Sequence, residues 1–319
     1  MVKDVNKDFR RDFIAGIAII TLFLFAYIYI PFIGALISIF TPLPILFYYK
    51  KLGRMPAILI FFMASIIAIY FLKRFQAQSG VFFIVEFGVI GLTMSEILRK
   101  NLSIEKTVLY SLLVILGIGT TIACLYCAVN LINPWALIVQ QIKENVNNTI
   151  NLYQGSGMLN SHTEPSDVSS THFVNFLIRS FPSLAIVGTI FIIWINLIIA
   201  KKLYGVRGIQ FPDFGDLSQW KAPDILVWGV IIGGLLLISR VFILNNVGLN
   251  ILIITLSIFF FQGIAIVSYF FNTKNIPPIL RGIGYVMIVL QHIFLFAVIG
   301  LGLFDVWADF RKLKRSKLS

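Results

Sequence analysis

Residues 13–49 read FIAGIAIITLFLFAYIYIPFIGALISIFTPLPILFYY, 37 positions without a charged side chain. A helix needs about 20 apolar residues to cross the hydrocarbon core of a bilayer, so this run is too long for one crossing. Pro31, Pro42 and Pro44 mark where a helix in this run can bend or end, because proline lacks the amide hydrogen that a helix interior needs. The run therefore predicts two short membrane helices joined on the outer side.

The same apolar character extends over the whole chain. Of its 319 residues, 58% are hydrophobic and 13% are charged, whereas a soluble domain has roughly 45–50% and about 25%. Together with the absence of a long soluble insertion, this composition predicts an all-α, polytopic transmembrane helical bundle of eight or nine spans. The apolar segments cover residues 13–30, 33–49, 56–72, 81–98, 107–131, 182–200, 224–240, 248–271 and 282–303.

The basic residues predict the orientation of the chain. The net charge is +12, and the basic residues occur in short runs between apolar segments, which is typical of cytoplasmic loops rather than of nucleic-acid binding. The N-terminus is therefore predicted in the cytoplasm. The alternative interpretation of the runs is an added attraction to anionic lipid head groups. Nine crossings would put the basic tail outside, so either one segment does not cross fully or the tail is an exception. The runs cover residues 3–11, 50–54, 99–106, 201–207 and 311–317.

The sequence contains none of three common catalytic motifs. HExxH, GxSxG and GxxxxGK[ST] are absent, which argues against metalloprotease, serine hydrolase and P-loop chemistry. Cys124 and Cys127 form a lone CxxC in an apolar helix, which is typical of packing. Four potential metal ligands share a Ser/Thr-rich loop without rigid spacing: His162, Glu164, Asp167 and His172. We therefore expect no enzyme, no metal and no cofactor.

An amphipathic helix is predicted over residues 134–154, on the outer face. Ile138, Ile142, Val146 and Ile150 recur every four residues, and amide and charged side chains occupy the other side. Such a helix either lies flat in the head-group layer or closes over a cavity as a lid. A polar loop follows at residues 155–170 and is expected to be mobile.

Four polar residues in the apolar segments are candidates for substrate binding: Glu86, Gln262, Gln291 and His292. An ionisable group in hydrocarbon costs several kcal/mol unless it faces protein or water. With Glu86 near the outer mouth and the others at mid-depth, they predict a solute pocket open to the outside. The alternative is that the amides bond across helices and that Glu86 is protonated or paired with Arg240.

Small residues at helical spacing predict close packing of helices, because they let two backbones approach. The candidate packing residues are Gly88, Gly91, Ser95, Gly229, Gly233, Ala64 and Ala68.

The ending and the segment 211–221 predict attachment at the inner surface. Aromatic residues such as Trp220 and Trp307 anchor at a membrane interface. Asp305 and Asp309, four apart, share one face of a helix and leave Arg311 on another side. These five residues form either a structural anchor or a docking surface for a partner protein.

Three stretches carry a resemblance to a known family. They are PFIGALISIFTPLPILFYYKKLG at residues 31–53, FFFQGIAI at 259–266 and GLGLFDVWADFRK at 300–312. The chain resembles the YybS-like family of bacterial multi-pass membrane proteins, whose function is not established. This resemblance implies a bacterial plasma membrane.

That family is in turn similar to the S components of energy-coupling-factor vitamin transporters. The similarity implies an S-component-like six-helix region at residues 1–202, which captures a vitamin-like solute. Two or three additional helices with a basic tail follow at 203–319. The AxxxA docking pattern of S components is absent from the first segment, which contains Ala15, Gly16 and Ala18.

The leading hypothesis is an integral membrane protein that binds or transports a small solute. The alternative is a non-transporting membrane scaffold or regulatory protein that engages a cytoplasmic partner. The expected partners are the lipid bilayer, a small-molecule solute and a cytoplasmic or membrane protein, but no nucleic acid.

Overall fold

The computed structural model describes residues 2–30, 33–74, 80–155 and 167–312. Within these ranges the chain is all helical, which confirms the predicted fold class, and it contains no strand. A short 3-10 helix covers Leu217–Gln219. The α-helices are α1 (Val2–Tyr29), α2 (Ile33–Ser38), α3 (Pro42–Leu52), α4 (Arg54–Arg74), α5 (Gly80–Leu98), α6 (Ile104–Asn130), α7 (Pro134–Gly155), α8 (Asp167–Val206), α9 (Leu226–Ile238), α10 (Phe242–Thr273), α11 (Pro278–Leu290) and α12 (His292–Ala308).

Each predicted apolar segment is helical where it is described, and two segments are broken. Hydrocarbon offers no partner to a peptide group, so a helix that satisfies its own backbone is the expected form of such a segment. The second segment divides into α2 and α3, and Pro42 begins α3, where a missing amide hydrogen costs nothing. The last segment divides into α11 and α12, which meet at Gln291 with a bend of 100°. Pro31 lies outside the described residues.

Four helices are long and apolar enough to cross a membrane. They are α4, α6, α8 and α10, and the bent pair α11–α12 is a fifth if it forms one span. This count rests on length and composition within the described residues. The prediction of eight or nine spans stays a prediction.

Helix α7 occupies the position of the predicted amphipathic helix. The Asn133 carboxamide oxygen accepts hydrogen bonds from the backbone amides of Trp135 (2.8 Å) and Ala136 (3.3 Å), which caps the first turn. The side chains of its apolar stripe are half-buried and those of the opposite side are exposed. Whether α7 lies among head groups or over a cavity stays a prediction. The polar loop that follows lies outside the described residues up to 166, and α8 begins at Asp167.

The chain forms two compact units. The first consists of residues 1–131 and 188–214, and the second of residues 132–187 and 215–319. The boundary predicted between residues 202 and 203 lies inside the first unit, because the second half of α8 and the segment after it pack with the N-terminal helices.

The core of the first unit lies between α1 and α4. Ile20 and Leu24 of α1 pack with Ala64 and Ala68 of α4, and all four side chains are buried. Two alanines one helical turn apart leave room for the facing side chains, which is the packing that small residues permit in membrane helices.

Helix α5 packs against the same core through its glycines. A Cβ atom built on Gly88 would lie 2.0 Å from the ring of Phe61, and one built on Gly91 would lie 2.8 Å from Ile45. Ser95, one turn further, is buried and donates a hydrogen bond to the Gly91 carbonyl at 2.7 Å. The predicted packing face of α5 therefore contacts α4 and α3.

Two side chains of α8 satisfy backbone carbonyls in the broken second segment. Asn196 Nδ2 donates to the Ile39 carbonyl at 2.8 Å, and the Tyr204 hydroxyl donates to the Leu46 carbonyl at 2.6 Å. The Ile39 carbonyl lies in the turn between α2 and α3 and needs such a partner because the preceding helix has ended, whereas the Leu46 carbonyl lies inside α3 and accepts the Tyr204 hydroxyl as an additional donor. These bonds fix α8 beside α3 within the first unit.

In the second unit, α10 packs against both α9 and α12. A Cβ on Gly229 would lie 2.5 Å from Thr255, and one on Gly233 would lie 3.0 Å from Leu252. The contact with α12 is closer still, because the backbones themselves approach. A Cβ on Gly263 would lie 2.0 Å from the Val298 carbonyl oxygen, and one on Gly302 would lie 1.9 Å from the Phe259 carbonyl oxygen.

The approach of α10 and α12 gives a prediction about Gly302. We expect Gly302→Ala to lower the free energy of unfolding by about 1–3 kcal/mol, because the added methyl group forces two backbones apart. Gly300→Ala is the control, since a Cβ there would meet nothing within 4 Å and alanine is by itself the better helix former. Thermal unfolding in mild detergent measures both variants. Equal stability of the two variants would mean that the helices do not meet at Gly302.

Candidate functional site

Helix α12 ends at Ala308, and the chain then turns back on itself. Asp309 adopts a left-handed conformation with φ of 44°, and its amide donates to the Asp305 carbonyl at 3.1 Å. This turn brings the Arg311 guanidinium to the Asp305 carboxylate, with Nη2 and Oδ2 2.8 Å apart. The expectation that Arg311 lies on another side from Asp305 is wrong, because it assumed that the helix continues past residue 308.

The ion pair between Asp305 and Arg311 is buried. The two side chains are 1% and 0% exposed. Asp305 Oδ2 also accepts from Gln262 Nε2 at 3.0 Å, and its Oδ1 accepts from the Phe310 amide at 2.9 Å. A buried carboxylate is stable when its charge is paired and its lone pairs are satisfied, as they are here.

Arg311 and Gln262 extend this pair to the segment that precedes α9. Arg311 Nη1 donates to the carbonyl oxygens of Ser218 at 2.8 Å and Trp220 at 2.9 Å. Gln262 Oε1 accepts from the Ala222 amide at 3.1 Å. We call this set the C-terminal network: Ser218, Trp220, Ala222, Gln262, Asp305 and Arg311. It joins the segment before α9, the middle of α10 and the end of α12.

The other three candidate solute ligands lie elsewhere. Gln291 and His292 are exposed at the bend between α11 and α12, and Glu86 is exposed on α5 in the first unit. Gln262 is fully buried, and its two amide atoms are bonded to Asp305 and Ala222. Gln262 is thus bonded to the Asp305 carboxylate, a contact that was not predicted from the sequence. A pocket shared by the four residues stays a prediction.

Of the two candidate anchor tryptophans, Trp307 lies two residues after Asp305 and Trp220 belongs to the C-terminal network. Trp307 is 63% exposed on α12, and its ring lies 6.4 Å from that of Phe304. Trp220 is half-buried and contributes its carbonyl to Arg311. The segment 211–221 contains only a 3-10 turn, stabilised by Asp216, whose carboxylate accepts from the Ser218 amide at 2.9 Å.

A second polar network lies around Pro182 in α8. Proline inside a helix removes one hydrogen bond and disturbs the neighbouring ones. Here the Ser183 amide donates to Asn250 Oδ1 at 2.9 Å, and Asn250 Nδ2 donates to the Arg179 carbonyl at 2.9 Å. Residues 179 and 183 would bond directly in a regular helix. The Asn250 carboxamide therefore bridges the interrupted bond and holds α10 against α8 within the second unit.

The Arg179 side chain extends this second network. Its Nε donates to Asn246 Oδ1 at 2.5 Å, and its Nη2 donates to the Asn245 carboxamide. The guanidinium also lies over the Phe242 ring, 5.6 Å from its centroid. Neutral amide oxygens and an aromatic face thus surround this cation in a partly buried position.

Neither the second network nor the ion pair was predicted from the sequence. The available signal for the second network was Pro182 within an apolar segment, together with asparagines at residues 245, 246 and 250. For the ion pair the available signal was an acidic and a basic residue six positions apart in the ending, Asp305 and Arg311.

The described residues contain no cluster of three or more His, Cys, Asp or Glu side chains close enough to hold a metal ion. Of the four residues that the sequence offered as potential ligands, His162 and Glu164 lie outside the described residues. Cys124 is exposed and Cys127 is buried, and both are free thiols.

Comparison with known proteins identifies one family. A family model described as a predicted membrane protein, DUF2232, matches residues 18–306. No curated protein and no solved structure matches the chain.

The buried ion pair gives a double-mutant prediction. We expect Arg311→Leu to lower the free energy of unfolding by about 3–5 kcal/mol, because it leaves the Asp305 charge buried without its partner. Adding Asp305→Leu should restore a large part of this loss, since the unpaired charge is then gone. Lys221→Gln is the control, because the Lys221–Asp224 pair is partly exposed and pairs of that kind contribute about 0–1 kcal/mol. Thermal unfolding of the variants in detergent measures the coupling, and additive losses would contradict a direct pair.

Proposed function

We propose a function for this chain, which belongs to the DUF2232 family of predicted membrane proteins. It is a non-transporting membrane scaffold or regulatory protein whose basic tail engages an acidic surface of a cytoplasmic partner. The C-terminal network carries this proposal. It fixes the point from which the tail leaves the second unit and ties that point to the segment before α9.

The bonding of Gln262 favours a structural role for the polar residues at mid-depth. Its side chain is 0% exposed, and both ends of the carboxamide are occupied by protein partners. A group that binds a solute must exchange those bonds for bonds to the ligand, which leaves Asp305 with fewer donors. Gln262 therefore supports the scaffold proposal more than it supports a pocket.

The same hydrogen bonds indicate on which side of the membrane the tail begins. Arg311 is hydrogen-bonded to Ser218 and Trp220, and groups in contact cannot lie on opposite sides of a bilayer. The segment before α9 is predicted on the cytoplasmic side, so the tail is proposed there too. This arrangement agrees with the alternative of eight spans, in which one segment does not cross fully.

The charge of the tail suggests the chemistry of the partner. The Arg311 charge is neutralised by Asp305, but Lys312, Lys314, Arg315 and Lys317 follow without an acidic residue. Four positive charges in six residues attract an acidic surface, and salt screens that attraction over about 10 Å at 0.1 M.

A second candidate function is the binding of a vitamin-like solute for transport. One observation favours it. Glu86 is an exposed carboxylate on a strongly apolar helix, and an ionisable residue in such a segment is by default a candidate for ligand binding.

Neutralising the tail tests the scaffold proposal. We expect chemical cross-linking in intact cells, followed by quantitative mass spectrometry, to recover a partner with an acidic surface. Recovery should fall at least tenfold with Lys314→Gln, Arg315→Gln and Lys317→Gln combined. The control removes three charges elsewhere with Lys3→Gln, Lys7→Gln and Arg10→Gln. Recovery that is insensitive to the tail variant, or equally sensitive to the control, would refute the proposal.

Native mass spectrometry tests the solute proposal. The protein purified in mild detergent should carry a retained small molecule, and Glu86→Gln should lose it because the carboxylate supplies the charge that binds it. Glu105→Gln makes the same chemical change at the start of α6 and should retain the molecule. An empty wild-type protein whose melting temperature does not change with added vitamins would count against binding.

A further inference from the structure

The Arg179 guanidinium in α8 is a charged group whose described partners are all neutral. Its Nε and Nη2 donate to the Asn246 and Asn245 carboxamides, and it lies over the Phe242 ring. Among the residues that the structure describes, no carboxylate pairs with it and its Nη1 makes no hydrogen bond. Since Nη1 carries two N–H donors, two donors beside an unpaired charge are available to a ligand.

The acidic residues of the second unit leave Arg179 without a counter-ion. Glu144, on α7, accepts hydrogen bonds from two glutamines of its own helix, and the side chains of Glu164 and Asp167 lie outside those described. Arg240, in the turn before α10, is exposed and likewise has no ion-pair partner among the described side chains. The other described carboxylates of this unit lie in the segment before α9 or at the end of α12: Asp216, Asp224, Asp305 and Asp309.

The length of α10 indicates the depth of Arg179 in the membrane. This helix has 32 residues and no charged side chain, so it measures about 48 Å, whereas the hydrocarbon core of a bilayer is about 30 Å thick. Its two ends therefore reach the head-group layers. Asn245 and Asn246 are among its first five residues, so the Arg179 side chain that they hold is predicted at the level of phospholipid head groups.

Exposed apolar side chains adjoin this cation. Phe242, whose ring lies beneath the guanidinium, and Ile243, the next residue, are both exposed. Phe176, which precedes Arg179 by about one turn of α8, is exposed as well. A soluble anion would contact only the charge, whereas an amphiphile contacts the charge with its head and the apolar side chains with its acyl chains. Such a ligand lies on the surface of the protein, in the bilayer, and needs no enclosed cavity.

We propose that Arg179 binds the phosphate group of an anionic phospholipid, with Nη1 donating to a phosphate oxygen. Phosphate accepts strong charge-assisted hydrogen bonds from guanidinium. Asn245 and Asn246 hold the other two nitrogens, so the side chain is already ordered and loses less entropy when the lipid binds. The second unpaired arginine, Arg240, favours a head group with a net negative charge over a zwitterionic one. This site does not involve the basic tail, so it stands apart from the partner proposed above.

The experiment uses the full-length protein in mild detergent. Native mass spectrometry gives the dissociation constants for phosphatidylglycerol, for phosphatidylcholine and for inorganic phosphate. We expect phosphatidylglycerol to bind more tightly than phosphatidylcholine, and Arg179→Gln to weaken phosphatidylglycerol binding about fivefold. Arg240→Gln is the matched control. It removes the same charge at the same end of α10, from a side chain that no carboxamide holds, and should change the affinity less than about twofold.

Photo-cross-linking of the wild-type protein tests the site even if Arg179→Gln does not fold. A phosphatidylglycerol that carries a diazirine in its head group should label residues 173–183 of α8 or 240–247 of α10, which mass spectrometry of the digested protein identifies. Labels confined to other peptides would overturn the proposal.

The binding constants separate a built site from general attraction. Equal affinities for the two lipids overturn the proposal, because the net charge of the head group is then not recognised. Equal losses with Arg179→Gln and Arg240→Gln overturn it too, because the fixed guanidinium then contributes no more than any surface charge. Inorganic phosphate that binds through Arg179 while phosphatidylglycerol does not would identify a soluble anion as the ligand and refute a lipid site. The melting temperature of each variant without lipid distinguishes a loss of affinity from a loss of folding.

Discussion

A buried polar group in this protein is stabilised by a partner within the chain, because neither hydrocarbon nor a packed helix interface supplies water. The helices satisfy this constraint for nearly all peptide groups by themselves. The exceptions occur where a helix is interrupted, and there a side chain supplies the missing bond. Asn250 does so at Pro182, and Asn196 does so at the turn near Ile39. Amide side chains at these points are therefore parts of the backbone hydrogen-bond system.

The same constraint explains the C-terminal network. Asp305 and Arg311 are stable in the interior only as a pair. Gln262 and three backbone groups supply further hydrogen bonds to the pair, and Arg311 Nε is left without a partner among the described residues. An arrangement of this kind specifies one packing of three segments, since any other packing leaves a charge unpaired. Gln262, one of the four residues that suggested a pocket, thus helps to define the geometry of the second unit.

Glycine positions show how far packing follows from sequence. Gly229 with Gly233 and Ala64 with Ala68 were recognisable from their four-residue spacing, and each of these residues lies in a helix contact. Gly263 and Gly302 make the closest approach in the second unit, yet they lie on different helices and share no local pattern. Spacing reveals two small residues on one helix face, whereas a contact between two single glycines depends on how two helices align.

The sequence by itself determined that this is a helical membrane protein, where its apolar segments lie, and that an amphipathic helix lies between the fifth and the sixth of them. Those features depend on length and periodicity within about 20 neighbouring residues. Only the tertiary structure decided that Gln262 bonds to Asp305, 43 residues away, and that Arg311 bonds to Trp220, 91 residues away. The deciding event is the end of α12 at Ala308, where a left-handed Asp309 reverses the chain. A change of one residue's backbone conformation redirects every side chain after it, and no local pattern of the sequence records which partner that reversal will meet.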